Sequence, residues 1–352
     1  MNHYTEETAR NIELAYASFR HVKIDHERLA CVAREHALGE YLLPKCDDYR
    51  AYPVSNKAFI SREFFADVIN FCFDHSNRTG DGRFFAFRAR TGRDILSGSY
   101  AMASRWNTLF GERPVTTAAL RPLIATRSRF QRNFRGVNSM PLLGERFRML
   151  HEACDVLDRK FGGDPANIVE EANYRSFGVH GRIGMVDLLI ECFPHAFGGD
   201  WFYDMQYFTP TEKMFYFMKR AQLFALMYHN RAVASQGGPD ALRPLADPED
   251  IGPIADYILP KRYVEDGVLL YDAELSDAIT RALPIVRHSR KEVEIRLAFV
   301  KAHLDELRIM NEERAKAGLD PIHVGHLDWH RWSRRTAGGA RVNHHLCYTT
   351  DY

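Results

Sequence analysis

The sequence lacks the features of secreted, membrane-spanning and disulfide-rich proteins. No uninterrupted apolar run approaches the roughly 18 residues that a membrane span needs. The first residues contain neither the basic nor the apolar region of a signal peptide. The six cysteines are scattered and include no C-x-x-C pair. We therefore expect reduced thiols, no cysteine-based zinc site and a cytoplasmic location.

An excess of charge is also missing. The 352 residues include 47 Lys and Arg against 46 Asp and Glu, which gives a formal net charge of +1. This balance gives no global electrostatic reason to expect nucleic acid or an anionic membrane as a partner. Apolar residues make up 45% of the chain and charged residues 26%, which is ordinary for a soluble globular protein. No internal repeat or low-complexity tract indicates a solenoid or a tail.

Several common catalytic and nucleotide-binding motifs are absent. There is no P-loop, no G-x-G-x-x-G, no G-x-S-x-G and no H-E-x-x-H. Helical patterns do not alternate with strand patterns, so a parallel Rossmann-type sheet is disfavoured. The isolated pairs Gly162-Gly163 and Gly198-Gly199 are typical of helix stops and turns.

Helical periodicity dominates what is present. Apolar residues at spacings of three and four predict an amphipathic helix from Leu143 to Phe161, ended by the glycine pair. A second helix is expected to begin at Thr209, where Pro210 and Glu212 suit a capping box. A third is expected to begin at Ser289 with a capping box to Glu292, and to end at Gly318. Shorter helical patterns lie around residues 7–18, 26–37 and 62–73.

Evidence for strands is thin. Residues 84–89, a turn at 91–94 and the pair Ile95-Leu96 predict one β-hairpin. The stretch Ser235–Asp250, with three prolines and two glycines, is interpreted as a surface loop because apolar helices flank it. We therefore predict a mostly α fold with a small β-hairpin, in a single domain that spans residues 1–352.

Two polar residues stand out in apolar surroundings. Asp256 lies among apolar residues between Pro253 and Pro260. Its burial would be costly unless the carboxylate is hydrogen-bonded, paired or functional. From the pattern alone, a helix cap after Pro260 and a functional carboxylate are equally supported. Lys219 lies inside an apolar stretch and raises the same question, since such a cation usually pairs with a carboxylate or reaches outward.

Two clusters of side chains favour structural interpretations. His323, His326 and His330 are near a helical spacing, with Asp328 between them. A metal site is conceivable there, but a solvated or packed helix face is favoured, and we expect no metal. The arginines between Arg113 and Gly144, a stretch without acids, could bind phosphate or RNA. A solvated face balanced by acids elsewhere is favoured because the total charge is balanced.

Eight short motifs resemble those of the queuosine salvage proteins, the queuosine 5′-phosphate N-glycosylase family. They appear in family order over nearly the whole chain: ADVINFCF (66–73), SMPLLGERFRML (139–150), KFGG (160–163), ECFP (191–194), KRAQ (219–222), ADYILP (255–260), KEVEIR (291–296) and LDWHRW (327–332). The resemblance implies a mostly helical fold similar to helix-hairpin-helix DNA glycosylases. It also implies release of queuine from queuosine 5′-monophosphate, for salvage into tRNA modification.

The resemblance assigns roles to eight residues. It places the catalytic carboxylate on Asp256 and the lysine that works with it on Lys219. It places the base pocket on Tyr49, Asn70, Ile254, Ala255, Asp328 and Trp332. The chain departs from the family pattern at Ile254, where an aromatic residue is common, at Tyr49, which replaces a histidine, and at Ser333, which replaces an acid.

The implied chemistry suits these residue types. Cleavage of a ribosyl C–N bond builds positive charge at C1′, which a carboxylate can stabilise or attack. Position 7 of a 7-deazapurine is carbon, so Asn70 and Asp328 are candidates to assist the departing base. Lys219 could orient Asp256, hold it ionised or contact the ribose and phosphate. Neither a metal nor an organic cofactor is required.

We expect a small nucleotide and queuine as partners of a monomer, with no nucleic acid and no membrane. Two other functions stay open from the sequence: a non-catalytic queuine or nucleobase-binding protein, and a glycosylase for a related nucleoside or nucleic acid. Glu292, Glu294 and Arg296 belong to a family-like motif, but their places on the third helix indicate structural roles.

Overall fold

The computed structural model describes residues 1–48, 51–76, 84–179, 181–334 and 343–352. Within these ranges the chain forms fourteen α-helices: α1 His3–Ala15, α2 His26–Ala37, α3 Asn56–Val68, α4 Gly98–Phe110, α5 Thr117–Leu120, α6 Arg127–Phe134, α7 Leu143–Lys160, α8 Ala166–Glu171, α9 Met185–Cys192, α10 Lys219–Ala234, α11 Ile258–Glu265, α12 Ala273–Thr280, α13 Arg290–Lys316 and α14 Val324–Ser333.

The described strands are all short. They are β1 Val22–Ile24, β2 Asp74–Ser76, β3 Phe84–Ala86, β4 Arg88–Thr91, β5 Asp94–Ser97, β6 Trp201–Asp204, β7 Lys213–Tyr216, β8 Leu269–Tyr271, β9 Pro284–Ile285 and β10 Leu346–Cys347. They pair two by two, as β1 with β8, β2 with β3, β4 with β5, β6 with β7, and β9 with β10, and only the last of these pairs is parallel. The prediction of a mostly α fold is confirmed.

The predicted β-hairpin is confirmed for its second half. Strands β4 and β5 pair in antiparallel register, with Thr91 opposite Asp94. The stretch 84–89 is not one strand, because β3 pairs with β2 instead. The break falls at Phe87, whose backbone N–H donates to the carbonyl of Phe73 and whose carbonyl accepts from the N–H of Gly98. The sequence therefore predicted one strand pair of the five that the described residues form.

Two of the three long predicted helices are confirmed. α7 begins at Leu143 and ends before Gly162 and Gly163, which adopt the positive φ values of 59° and 76°. α13 begins after Ser289, whose side chain accepts a hydrogen bond from the N–H of Glu292. The reciprocal half of the box differs, because the carboxylate of Glu292 accepts from the N–H of His288, 3.0 Å away.

The helix start predicted at Thr209 is wrong, although α10 covers the later part of that predicted helix. The carboxylate of Asp204 accepts hydrogen bonds from the backbone N–H and the hydroxyl of Thr209, at 3.0 and 2.8 Å. Thr209 is thus bound into a loop rather than free to cap a helix. The chain continues as β7, and α10 begins only at Lys219, after Met218 takes a left-handed conformation with φ 49°.

The short helices are predicted with mixed accuracy. α2 spans the predicted residues 26–37, and α1 covers most of 7–18. The helix predicted around 62–73 instead begins at Asn56 and ends at Val68. The residues that follow Val68 form a loop, and this loop contributes to the site described below.

The core is built around three helices that contribute many buried residues. All residues of α3 except Lys57 are buried, and α10 and α13 each contribute twelve or more buried residues. α3 packs against α10 and α7, while α13 packs against α2 and α11. None of the helices in the described ranges combines the length and apolar character that crossing a bilayer requires.

Candidate active site

A cavity of about 540 Å³ lies among α3, α10, α11 and α14. The segment between α3 and β2 and the C-terminal residues also line it. Six of the eight residues to which the resemblance assigns roles lie at its surface: Asn70, Lys219, Ile254, Asp256, Asp328 and Trp332. They come from distant parts of the chain, so the tertiary fold brings them together.

Asp256 both caps a helix and lines the cavity. Its Oδ1 accepts hydrogen bonds from the backbone N–H groups of Ile258 and Leu259, each 2.8 Å away. These two residues open α11, so the carboxylate satisfies donors at the start of that helix. Only 9% of the Asp256 surface is exposed, and the exposed part belongs to the cavity wall. A cap and a functional carboxylate are therefore compatible, although α11 begins at Ile258 and not after Pro260.

The second oxygen of Asp256 is left for a ligand. In the described part of the chain, no hydrogen bond reaches Oδ2 of this carboxylate. Burial raises the pKa of Asp256, while the ammonium group of Lys219 and the N–H groups of Leu259 and Ile258 oppose that rise. The surroundings thus combine a low dielectric with a positive neighbour that favours the ionised carboxylate.

Lys219 is buried at the first position of α10, with 5% of its surface exposed. Its Nζ donates to the backbone carbonyl of Asn70 at 3.0 Å. Its backbone N–H donates to Oδ2 of Asp200 at 2.8 Å. Burial lowers the pKa of Lys219, and the carboxylates of Asp256 and Asp67 oppose that lowering. The lysine is therefore a desolvated cation among buried acids.

A buried ion pair fixes the segments that carry these two residues. Arg296 donates two hydrogen bonds to the carboxylate of Asp200, at 2.7 and 2.9 Å. The Nε of Arg296 donates to the carbonyl of Ala255 at 3.2 Å. Because Asp200 also accepts from the backbone of Lys219, one ion pair holds both Lys219 and the residue before Asp256. Arg296 thus supports the site from behind, which agrees with its predicted structural role.

The position of the segment that leads to Asp256 also depends on one glycine. The backbone N–H of Gly252 donates to Oε1 of Gln222 at 2.6 Å. A Cβ added to Gly252 would lie 2.4 Å from Oγ1 of Thr5 and 3.0 Å from the Gln222 side chain. A side chain at this position would push the segment away from α1 and α10, and with it the carboxylate of Asp256.

Asn70 lies on the loop that follows α3. Arg146, which is fully buried in α7, donates hydrogen bonds to the carbonyls on either side, those of Ile69 and Phe71. The side-chain amide of Asn70 donates to Oδ1 of Asp67 at 2.9 Å. The loop is therefore held from behind by a buried cation while Asn70 faces the cavity.

Asp328 lies across from this loop on α14, with 4% of its surface exposed. Its Oδ2 accepts a hydrogen bond from the N–H of Ile254 at 3.2 Å. Its Oδ1 lies 3.2 Å from Nε2 of His303. Burial raises the pKa of Asp328 well above its ordinary value, and Asp256 adds to the rise. Asp328 is therefore biased toward its protonated form.

Asp328 is the first member of a buried hydrogen-bond chain. Nδ1 of His303 lies 3.0 Å from the hydroxyl of Tyr263, and that hydroxyl donates to Glu306 at 2.5 Å. Arg331 donates to the same carboxylate from Nε at 2.8 Å. Burial lowers the pKa of His303 to about 3, so its ring is neutral near pH 7. Tyr263 then accepts from Nδ1–H, which leaves Nε2 as an acceptor facing Asp328.

Aromatic rings line another part of the cavity. The indoles of Trp329 and Trp332 stack with their centroids 5.6 Å apart, and the ring of Tyr100 lies 5.7 Å from Trp332. All three residues line the cavity. Ile254 adds an aliphatic surface and is 4% exposed. Such flat apolar walls suit a planar heterocyclic base.

The two remaining assigned residues stand apart from this group. Ala255 is fully buried and is not at the cavity surface, and its carbonyl binds Arg296. Tyr49 lies outside the described residues.

The histidines near the C-terminus are used locally. His323 caps α14, accepting from the N–H of Gly325, and His326 accepts from the N–H of His323. His330 packs against the ring of Tyr41. Within the described ranges, the group whose atoms come close enough for a metal is His21, Asp272 and Glu274. It lies outside the cavity, and Lys291 forms a 2.5 Å ion pair with Glu274.

The arginine-rich stretch behaves as expected from the sequence. Arg121 binds Asp155 and Asp158, at 2.8 and 2.6 Å, and Arg127 and Arg129 are exposed on α6. Acids of α7 therefore neutralise part of the positive charge of this stretch, and the remaining charge is exposed to solvent.

Sequence reasoning missed several cavity residues. These are Glu63 on α3, Tyr100 on α4, Asn230 on α10, and His344 and Tyr352 near the C-terminus. Glu63 had a detectable signal, because it is an acid inside the strongly apolar stretch 58–69. The others reach the cavity only through tertiary contacts, so no local pattern pointed to them.

Comparison with known proteins places this site in context. The sequence model of the family described as queuosine salvage protein matches residues 52–352. A protein of Sphaerobacter thermophilus named queuosine 5′-phosphate N-glycosylase/hydrolase is 28% identical over 94% of this chain and 92% of its own length. Proteins of the same name from Bos taurus and Mus musculus are 25% and 26% identical. These alignments cover 83% and 89% of this chain, and 82% and 88% of the relatives.

The match extends over more than four fifths of the chain and includes Asn70, Lys219, Asp256, Asp328 and Trp332. The motifs that suggested the resemblance lie within the same range. The chain therefore belongs to the queuosine salvage protein family.

Proposed function

We propose that this protein is an N-glycosidase that hydrolyses queuosine 5′-phosphate and releases queuine for salvage into tRNA modification. The observation that carries the proposal is the buried pair of Asp256 and Lys219 at the wall of a cavity of nucleotide size. Relatives that cover most of the chain bear the name of this activity.

Asp256 is proposed as the residue that meets the sugar. Breaking the bond between C1′ and the base nitrogen leaves positive charge on C1′ and the ring oxygen, and Oδ2 of Asp256 is unengaged. A carboxylate held in a low-dielectric wall interacts more strongly with that charge than it would in water. Water then adds to C1′, which gives ribose 5-phosphate and the free base.

Lys219 is proposed to support Asp256 rather than to act on the base. Its ammonium group favours the ionised carboxylate and so opposes burial, which raises the pKa of Asp256. One of its hydrogen bonds is committed to the carbonyl of Asn70, which limits where the group can point. Its remaining donors can bind a ribose or phosphate oxygen, while its charge acts on Asp256.

Asn70, Asp328 and Trp332 are proposed to hold the base. Trp332, with Trp329 and Tyr100, offers flat surfaces for stacking. Asp328 and Asn70 provide polar atoms for the base edge. The proton of Asp328 is directed at Nε2 of His303, so its oxygens act toward the base as acceptors, whereas the amide of Asn70 keeps one N–H besides the one given to Asp67. A donor placed there can stabilise negative charge on the departing 7-deazapurine, whose C7 offers no site for protonation.

The proposal includes a single domain that acts as a cytosolic monomer on a small nucleotide. Balanced overall charge supports a small substrate rather than nucleic acid, and six free cysteines support a reducing location. Because the residues that line the cavity supply a carboxylate, a cation and hydrogen-bond donors, each step can be written with groups of the protein itself.

The direct test is product analysis. Purified protein is incubated with queuosine 5′-phosphate, queuosine, guanosine 5′-phosphate and queuosine-containing tRNA, and mass spectrometry detects free base. Queuine and ribose 5-phosphate from the first substrate are expected. Tight binding of queuine without any release would favour a binding protein, and release from tRNA alone would favour a nucleic-acid glycosylase.

A further inference from the structure

Two buried polar side chains in the cavity have no role in the steps proposed above. Glu63 on α3 is 8% exposed and lies at the cavity surface, and no hydrogen bond to its carboxylate is formed within the described residues. Asn230 on α10 is 1% exposed, and both polar atoms of its amide are buried without a partner. An unsatisfied buried polar group typically costs about 1–3 kcal/mol, so the amide of Asn230, together with an unengaged carboxylate at the same cavity surface, indicates a ligand with polar groups.

These side chains lie progressively farther from the reacting end of the cavity. Lys219, Leu223, Leu226 and Asn230 line it from one face of α10. Asn230 follows Lys219 by eleven positions, which is about 16 Å along the helix. Asn230 is therefore at the far end of a strip whose middle is apolar.

Glu63 faces the middle of this strip. α3 and α10 run antiparallel, because Lys219 binds the carbonyl of Asn70 while Arg231 binds the side chain of Asn56. Glu63 is halfway between Asn56 and Asn70 in sequence. It is thus opposite the central turns of α10, between the reacting end and Asn230.

The surroundings of Glu63 favour a positively charged ligand group. Asp67 follows one turn later on α3 and is fully buried, with its Oδ2 unpaired. Burial raises the pKa of Glu63 well above its ordinary value and Asp67 adds to the rise, while the charges of Arg62 and Lys219 oppose it only in part. Arg62 points elsewhere, toward Asn107 on α4. A cation at the cavity surface would relieve both the desolvation and the repulsion between the two carboxyl groups.

We propose that Glu63 and Asn230 form the subsite for the side arm on C7 of the base, with Glu63 binding its protonated amine and Asn230 its terminal hydroxyl groups. This inference rests on the proposed function. The base of queuosine is a 7-deazaguanine that carries, on C7, a secondary amine linked to a cyclopentenediol. A cation near the ring and hydroxyls beyond it match a carboxylate at mid-cavity and an amide at the far end.

The subsite explains how the protein would select queuosine from guanosine nucleotides. Guanosine 5′-phosphate has no side arm, so it would leave Glu63 and Asn230 buried and unsatisfied. A site that hydrogen-bonds its ligand strongly rejects an analogue that leaves those polar groups unpaired. An apolar pocket rejects a smaller analogue only weakly. Selectivity would thus arise from α3 and α10, apart from the carboxylate that acts on the sugar.

The test compares three 5′-phosphate substrates that differ only on C7: queuosine, 7-aminomethyl-7-deazaguanosine and 7-cyano-7-deazaguanosine. The first carries the amine and diol, the second the amine alone, and the third neither. Glu63→Gln is expected to raise KM about 10-fold or more for the first two and to leave the third within about 2-fold. Asn230→Ala is expected to raise KM for queuosine 5′-phosphate alone.

Glu171→Gln, at an exposed position outside the cavity, is the matched control and should behave as wild type. Melting temperatures of the variants show whether each one is folded. An equal loss on all three substrates would mean that Glu63 contacts the ring, and no loss on any would mean that it contacts no ligand. Either result overturns the inference, whereas absence of base release by the wild type would instead overturn the proposed function.

Discussion

The side-chain ammonium group of Lys219 donates a hydrogen bond to the backbone carbonyl of Asn70, 3.0 Å away. This bond joins the first turn of α10 to the loop after α3 at the edge of the cavity. The cation is kept away from solvent and near the carboxylates of Asp256 and Asp67. Its charge is therefore available to the site and not screened by water.

Lys219→Ala is expected to slow release of queuine by about 100-fold, because Asp256 loses the cation that favours its ionised form. The effect should not multiply with that of Asp256→Asn, since the two residues act as a unit. Values of kcat/KM for both single variants and the double variant test this. Lys57→Ala, at an exposed lysine of α3, is the matched control. Independent, multiplying effects would show that Lys219 has a separate role.

Asp67 should make stability depend on pH. Burial raises its pKa from 3.8 to about 7, so between these values the folded state binds more protons at this residue than the unfolded state. The contribution of Asp67 to the free energy of unfolding is therefore full below about pH 4 and is lost as pH rises to about 7. Asp67→Asn keeps an oxygen for Asn70 but cannot ionise.

The melting temperature of Asp67→Asn relative to wild type should accordingly increase from pH 4 to pH 8. Thermal melts in matched buffers across this range measure the difference. Asp277→Asn, at an exposed acid of α12, serves as the control and should show no such trend. A difference that stays constant with pH would mean that the carboxyl of Asp67 titrates normally.

Asp328→Asn is expected to preserve the affinity for queuine within about 3-fold. An amide can accept from the N–H of Ile254 and donate to Nε2 of His303, as the protonated carboxyl would. Asp328→Ala loses both contacts and should weaken binding about 10-fold or more. Calorimetric titration with queuine compares the two. Equal defects in both variants would indicate that Asp328 binds the base as an anion.

Glu294 is expected to be structural. Its buried carboxylate accepts hydrogen bonds from three consecutive backbone N–H groups, those of Arg20, His21 and Val22, at distances from 2.6 to 3.1 Å. Glu294→Ala should lower the free energy of unfolding by about 3 kcal/mol. Turnover per folded molecule should be unchanged at a temperature well below the transition. Lost turnover with an unaltered denaturation midpoint would assign Glu294 to the site instead.

The parts of the fold that the sequence predicted are those with local causes. α7 and α13 follow from an apolar period and from end signals at Gly162 and Ser289. The helix start predicted at Thr209 was wrong because its capping signal is equally suited to a loop bound by Asp204. That competition is decided by a side chain five residues earlier, which helix rules do not consider.

The candidate site was predictable to a similar extent. Asp256 and Lys219 were noticed because each is a polar residue in an apolar stretch, and the resemblance then gave them roles. Glu63 satisfies the same criterion but lies in a stretch that is buried on every face, so periodicity did not distinguish it. Asn230 and His344 are at the cavity only because of packing between distant segments. The resemblance to helix-hairpin-helix glycosylases and the single-domain organisation stay predictions.

The central claim is that the carboxylate of Asp256 stabilises the developing charge on the sugar, and Asp256→Asn tests it most directly. The amide can still accept from the N–H groups of Ile258 and Leu259, so the fold and substrate binding should be preserved. Single-turnover release of queuine from queuosine 5′-phosphate is predicted to fall about 100-fold or more, roughly 3 kcal/mol, while the intact nucleotide still binds. Release of queuine at a near-normal rate would contradict the account.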